Sequence, residues 1–190
     1  MKNKFAILLL ALGFLVFGIY QDRIQSPRAV VSGEHYDRSV KVEYGVPIRV
    51  DHVVDGDTIV LANGDSVRYI GIDTPEEFDS RKPVQCFAKE AAARNKELIG
   101  SNDIKFYKDI STTDKYGRWL GFVYLPDGTF VNLEMVKEGY GFAYPYPPDN
   151  SKAAEFKTAE DYAKQNKLGL WAACTVTTLS TGREQTNPVE

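Results

Sequence analysis

The stretch VVDGDTIVLANGDSVRYIGIDTPEE, residues 53–77, decides how this chain is read. Asn63-Gly64 between two β-type runs is a two-residue hairpin signal, with DTIVLA as the outgoing strand and DSVRYIGID as the returning one. A two-residue turn would pair Ala62 with Asp65, set Ile59 opposite Arg68 and set Asp57 opposite Ile70. One face of the pair would then carry Asp57, Ile59 and Leu61 beside Arg68, Ile70 and Ile72. A carboxylate and a guanidinium on an apolar face are costly unless they meet each other, a ligand or a cleft. Asp73 falls on the opposite face by alternation, so joining Asp57 requires a break in the ladder, for which Gly71 is the residue available. Asp65 reads as a turn residue, Asp55 as either a turn residue or a neighbour of a metal, and Glu77 has no assigned task.

Outward from this pair, PIRVDHVV precedes it as a further strand, and CFAKEAAARNKELIG follows as a helix ended by Gly100. DIKFYKD and RWLGFVYLPDGTFV supply two more strands, the latter folding over Pro126-Asp127-Gly128. NLEMVKEGY is a short helix. SKAAEFKTAEDYAKQNKLGLW is a longer one, with Phe156, Ala159, Ala163 and Leu170 as its packing stripe and Asn150 or Ser151 as its N-cap. Five strands with a helix after the third predict a mainly β, α+β domain: a five-stranded OB-fold barrel with three packed helices.

Composition bounds the rest. With 190 residues, 43% hydrophobic and 12% aromatic, the chain can form one packed domain with appendages. Two histidines, His35 and His52, without a ligand pattern argue against a zinc site or a serine-histidine triad. A formal charge of −3 gives no global affinity for nucleic acid, so any anion site must be local.

Phe5 to Tyr20 is an apolar run behind a short basic start, so residues 1–22 read as a signal peptide or membrane anchor. The poor cleavage match at Gly18-Ile19-Tyr20 slightly favours an uncleaved anchor. The expected location is therefore extracytoplasmic, secreted or anchored through residues 5–20. Residues 23–45 read as a linker, 46–174 as the folded domain and 175–190 as a disordered tail. In an oxidising compartment, Cys86 and Cys174 are either a disulfide or two separate buried thiols; the bridge is the favoured reading.

DGDT at 55–58, VRYIGIDTPE at 67–76, TDKYGR at 113–118 and AYPY at 143–146 together resemble the staphylococcal nuclease (thermonuclease) family, in order and spacing, from about Val46 to Trp171. The resemblance implies an OB barrel with three helices and a Ca2+-dependent phosphodiesterase cutting DNA and RNA with low sequence specificity. By the same resemblance Asp57 and Asp73 match carboxylate ligands and the Thr74 carbonyl a further oxygen ligand. Such hard donors suit Ca2+. Glu76 matches the general base, and Arg68 and Arg118 the guanidinium forks on the phosphate. Lys115, Tyr116, Tyr144 and Tyr146 match positions against the nucleotide, where stacking accepts any base and favours single-stranded or locally melted substrate. A monomer is expected.

Pro147 stands where the family has a lysine, Ala88 where a glycine is common, and the overall charge is acidic. Arg68, Arg81, Lys82, Lys108, Lys115 and Arg118 can still form a basic patch at the cleft. Two other classes stay open. One is a catalytically inactive module of this fold that binds nucleic acid or protein, which goes with missing arginines or carboxylates; none is missing here. The other is an extracytoplasmic structural or Ca2+-storage protein, which leaves Arg68 and Arg118 without a role.

Overall fold

In the computed structural model, residues 36–77 and 83–189 are described. The proposed leader or anchor, most of the linker, Arg81 and Lys82 lie outside them. Five strands close into a barrel: β1 (Ile48–Val53), β2 (Thr58–Leu61), β3 (Ser66–Tyr69), β6 (Trp119–Tyr124) and β5 (Asp103–Tyr107), in that order around the ring. β5 pairs back to β1 through Ile48 and Ile104, while β3 and β6 run parallel. This is the OB-type barrel expected from the strand and helix order.

The interior is filled by alternate residues of these strands. Ile59, Leu61, Val67, Tyr69, Ile104, Phe106 and Val123 are all buried, and they join one continuous core. Helix α1 (Ala88–Ile99) follows the third strand, α2 (Val131–Lys137) follows β6, and α3 (Ala153–Gln165) buries Phe156, Ala159 and Ala163. A single turn, α4 (Leu170–Ala173), makes a fourth helix among the described residues, with Leu170 buried. The N-cap of α3 is Lys152, without a side-chain cap; the amide of Ser151 instead donates to Asp109 Oδ2 at 2.8 Å. No helix among the described residues is long and apolar enough to cross a membrane.

The β2–β3 register differs from the expected one by one residue. Thr58 pairs with Arg68, Ile59 with Val67 and Val60 with Ser66. Leu61 meets Asp65 by a backbone hydrogen bond of 2.8 Å, leaving Ala62, Asn63 and Gly64 as a three-residue loop. Gly64 takes φ +91°, the left-handed position such loops require, and the Asn63 carboxamide grips Asp65 from both sides. Arg68 therefore stands with Thr58 outside the barrel, and the apolar face with Ile59 contains Val67 and Tyr69 instead.

Gly71 breaks the ladder as required. β3 ends at Tyr69, Gly71 adopts φ +80°, and the short β4 (Ile72–Asp73) leaves the barrel to pair with β7 (Phe142–Ala143). A Cβ at Gly71 would lie 2.3 Å from the Phe156 ring, so the break also brings backbone against α3.

Both proposed boundaries shift. Residues 36–45 are not wholly linker: the Asp37 amide donates to Ala62 O, and the Tyr44 ring packs against Phe106 and Trp119. The tail expected to be disordered from 175 forms a hairpin, β8 (Val176–Thr178) with β9 (Glu184–Thr186). Cys86 and Cys174 are joined in a disulfide, with Cα atoms 6.0 Å apart. Thr186 Oγ1 donates to Cys86 O, the Cys86 amide donates to Asn187 O, and Lys164 reaches Glu184 at 3.1 Å. Polar and covalent ties hold this hairpin, where apolar alternation is lacking.

Candidate active site

The site forms where β2 begins and where the chain escapes the barrel at Gly71. Asp57 and Asp73, from these two places, are 1% and 5% exposed. Two carboxylates so far from water need cations or donors beside them. Arg68 provides both links: Nη1 pairs with Asp57 Oδ1, and Nη2 donates to Asp73 Oδ1 at 3.0 Å. The Thr74 amide and hydroxyl donate to Asp57 Oδ2 at 2.9 and 3.0 Å. Thr58 Oγ1 donates to Oδ1 at 3.2 Å. Asp57, Arg68, Asp73 and Thr74 are thus one hydrogen-bonded unit.

Asp55 supports this unit. Its Oδ1 accepts the Asp57 amide at 3.0 Å, fixing the turn into β2. Burial raises the pKa of its carboxyl, while Arg68, a hydrogen bond with Thr58, and Arg118 act in the opposite direction. The fields of both arginines therefore reach the same carboxylate.

Arg118 is fixed from its own loop. Asp114 Oδ2 accepts its Nε and Nη2 at 2.8 and 2.7 Å, while Oδ1 accepts the Tyr116 and Arg118 amides. Burial works to raise the Asp114 carboxyl, but these donors outweigh it and its pKa is lowered. Lys115 and Arg118 both lie over the Tyr116 ring, at 5.0 and 5.6 Å, on a strongly exposed corner. Tyr144 and Tyr146 stack at 6.2 Å beyond β7, with Tyr146 outermost. Lys108 lies over the Tyr44 ring. The backbone of Glu76 is gripped on both sides by Gln85, whose Oε1 accepts the Glu76 amide at 2.7 Å and whose amide donates to Glu76 O at 3.0 Å.

Three contributors escape a reading of the sequence. Asn95 on α1 is fully buried; it accepts the Tyr69 hydroxyl at 2.9 Å and donates to Asp55 O at 2.9 Å. Burial pushes the Tyr69 phenol pKa up, so it remains a donor. Asn132 on α2 takes the Val123 amide and donates to Ile70 O and Gly121 O, holding the backbone just before the Gly71 break. Polar residues inside helical patterns can announce such roles only by being polar where the stripe is apolar. The third is Arg183, in the C-terminal hairpin: Nε donates to Asp73 Oδ2 at 2.6 Å and Nη2 to Oδ1 at 3.0 Å.

Among the described residues no three or more carboxylate, imidazole or thiolate side chains gather in a metal-binding group. The carboxylate pair with the adjoining threonine is nonetheless an all-oxygen donor set with two buried charges, which fits a hard divalent cation once water completes the shell.

The family model of the staphylococcal nuclease homologues matches residues 66–173. The chain belongs to this family. The chain is 42% identical over 132 residues to the SPbeta prophage-derived endonuclease YokF of Bacillus subtilis, covering 67% of this chain and 44% of that protein. It is 40% identical over 132 residues to endonuclease YncB of the same organism, covering 67% and 62%. It is 35% identical over 125 residues to the thermonuclease of Staphylococcus intermedius, covering 64% and 74%. The chain thus spans about half the length of the two Bacillus relatives it matches.

Proposed function

We propose that this chain is a Ca2+-dependent nuclease that hydrolyses phosphodiester bonds of DNA and RNA with low sequence specificity. One observation carries the reading: Arg68 bridges two buried carboxylates, Asp57 from the turn into β2 and Asp73 from β4, in a chain whose relatives are named endonuclease or thermonuclease. Asp57, Asp73 and the Thr74 carbonyl would hold the cation. Bound there, it would draw charge from a phosphoryl oxygen and help the phosphorus accept a nucleophile.

The chain's own groups do the rest. Glu76 takes a proton from water as the water oxygen bonds to phosphorus and the P–O ester bond breaks, the departing oxygen carrying off the electron pair and taking a proton from solvent. Arg68 and Arg118 donate to the phosphate oxygens as charge builds on them. Asp114 keeps the Arg118 fork aimed before substrate arrives, which lowers the entropy cost of binding. Lys115 adds charge beside the phosphate, and Tyr116, Tyr144 and Tyr146 offer faces to unstacked bases, which favours single-stranded or melted substrate. The domain acts as a monomer outside the cytoplasm, secreted or anchored through residues 5–20. The Cys86–Cys174 bond supports an oxidising compartment.

Steady-state kinetics of Arg118→Ala on single-stranded DNA test the roles. A clamp that acts in the transition state predicts kcat lower by about 10³-fold with KM changed far less. Unchanged kcat removes Arg118 from the site.

A further inference from the structure

Arg183 reaches Asp73 from 110 residues downstream, and it does so as a fork rather than a single contact. Both oxygens of Asp73 are taken, and Oδ1 is shared with Arg68. The Tyr144 ring backs the guanidinium at 5.8 Å. The supporting hairpin is fastened by the disulfide, by Thr186 on Cys86 and by Lys164 on Glu184. It is also bridged to Gln85, the residue that grips Glu76, through Pro188. The contact is therefore built by the fold at the same corner as the carboxylate pair.

Two positive groups now bear on Asp73. Arg68 belongs to β3 and spans both carboxylates, so it cannot leave without dismantling the pair. Arg183 touches only Asp73 of that pair, and its side chain is 36% exposed, so rotation about its own torsions carries it into solvent while the hairpin stays in place. A divalent cation coming onto Asp73 needs one of its oxygens and is repelled by a guanidinium lying on both.

We propose that Arg183 is a competing cation at the carboxylate pair: its fork holds Asp73 until a divalent cation displaces it, so the C-terminal hairpin sets the metal affinity of the site. This rests on the reading of Asp57, Asp73 and Thr74 as metal ligands. Calorimetric titration of Ca2+ into the full chain, with Arg183→Gln, Arg183→Lys and Asp57→Asn in parallel, separates the two. Arg183→Gln is expected to bind Ca2+ about tenfold more tightly, an ordinary size for coupling between two ligands, with Arg183→Lys between it and the parent. In chelator Arg183→Gln is expected to melt below the parent, and at saturating Ca2+ that gap closes. If Asp57→Asn loses Ca2+ binding while Arg183→Gln binds no more tightly than the parent, the competing-cation inference is overturned and the metal reading stands. If Asp57→Asn binds as the parent does, or no chain binds Ca2+, both fall.

Discussion

Asn95 ties the core of the barrel to the turn that presents Asp57, and replacing it tests whether the site rests on buried hydrogen bonds. Asn95→Leu keeps the side-chain volume and removes two bonds of 2.9 Å, one from the Tyr69 hydroxyl and one to Asp55 O. Tyr69 is 2% exposed, so water cannot replace its acceptor cheaply. A buried polar group left without a partner costs about 1–3 kcal/mol, so two should cost about 2–6 kcal/mol. That is a large part of the roughly 5–15 kcal/mol by which domains are stable. Urea unfolding followed by tryptophan fluorescence measures the loss. Adding Tyr69→Phe removes the stranded hydroxyl, and the double variant should recover about 1–2 kcal/mol relative to additivity. A loss below about 0.5 kcal/mol for Asn95→Leu, or strict additivity of the pair, would show that the turn at Asp55 does not depend on these buried bonds.

Gly71→Ala places a methyl 2.3 Å from the Phe156 ring at φ +80° and is expected to cost about 3 kcal/mol, partly relieved by Phe156→Leu; an unchanged urea midpoint would show the break at β3 to be pliable. Replacing Cys86 and Cys174 by serine opens a link between residues 88 positions apart and should cost up to about 4.6 kcal/mol on the chain-entropy model, read as the difference in unfolding free energy. Burial raises the Asp55 pKa above 3.8, so the fold favours its neutral form; that contribution is complete below the unfolded pKa and fades as pH rises through the folded one. Asp55→Asn, which still accepts the Asp57 amide, should therefore gain stability relative to the parent on going from pH 3 to pH 7; an equal difference at both pH values would contradict this.

The barrel was legible because its strands alternate and its helices carry period, and the Gly71 break was legible because a strict ladder would have separated Asp73 from Asp57. The register was misread at Asn63-Gly64, which serves a three-residue loop with glycine at its left-handed position. That slip reversed the setting of Arg68: it stands on the outer face with Thr58 and curls to the strand ends to meet its carboxylates. The β8–β9 hairpin stayed hidden because threonine and asparagine hydrogen bonds, the Lys164–Glu184 pair and a disulfide hold it, and none of these leaves a hydrophobic period. Arg183 was hidden with it. Asn95 and Asn132 show the same limit, since partners brought from distant segments are known only once the chain has folded.

Digestion of single-stranded DNA by the full chain, in Ca2+ and again with a Ca2+ chelator, decides whether the chain is a Ca2+-dependent nuclease. Cleavage is expected in Ca2+, stopping on chelation and returning when Ca2+ is restored. DNA bound but left intact in Ca2+ would contradict it and make the chain a binding module of the nuclease fold.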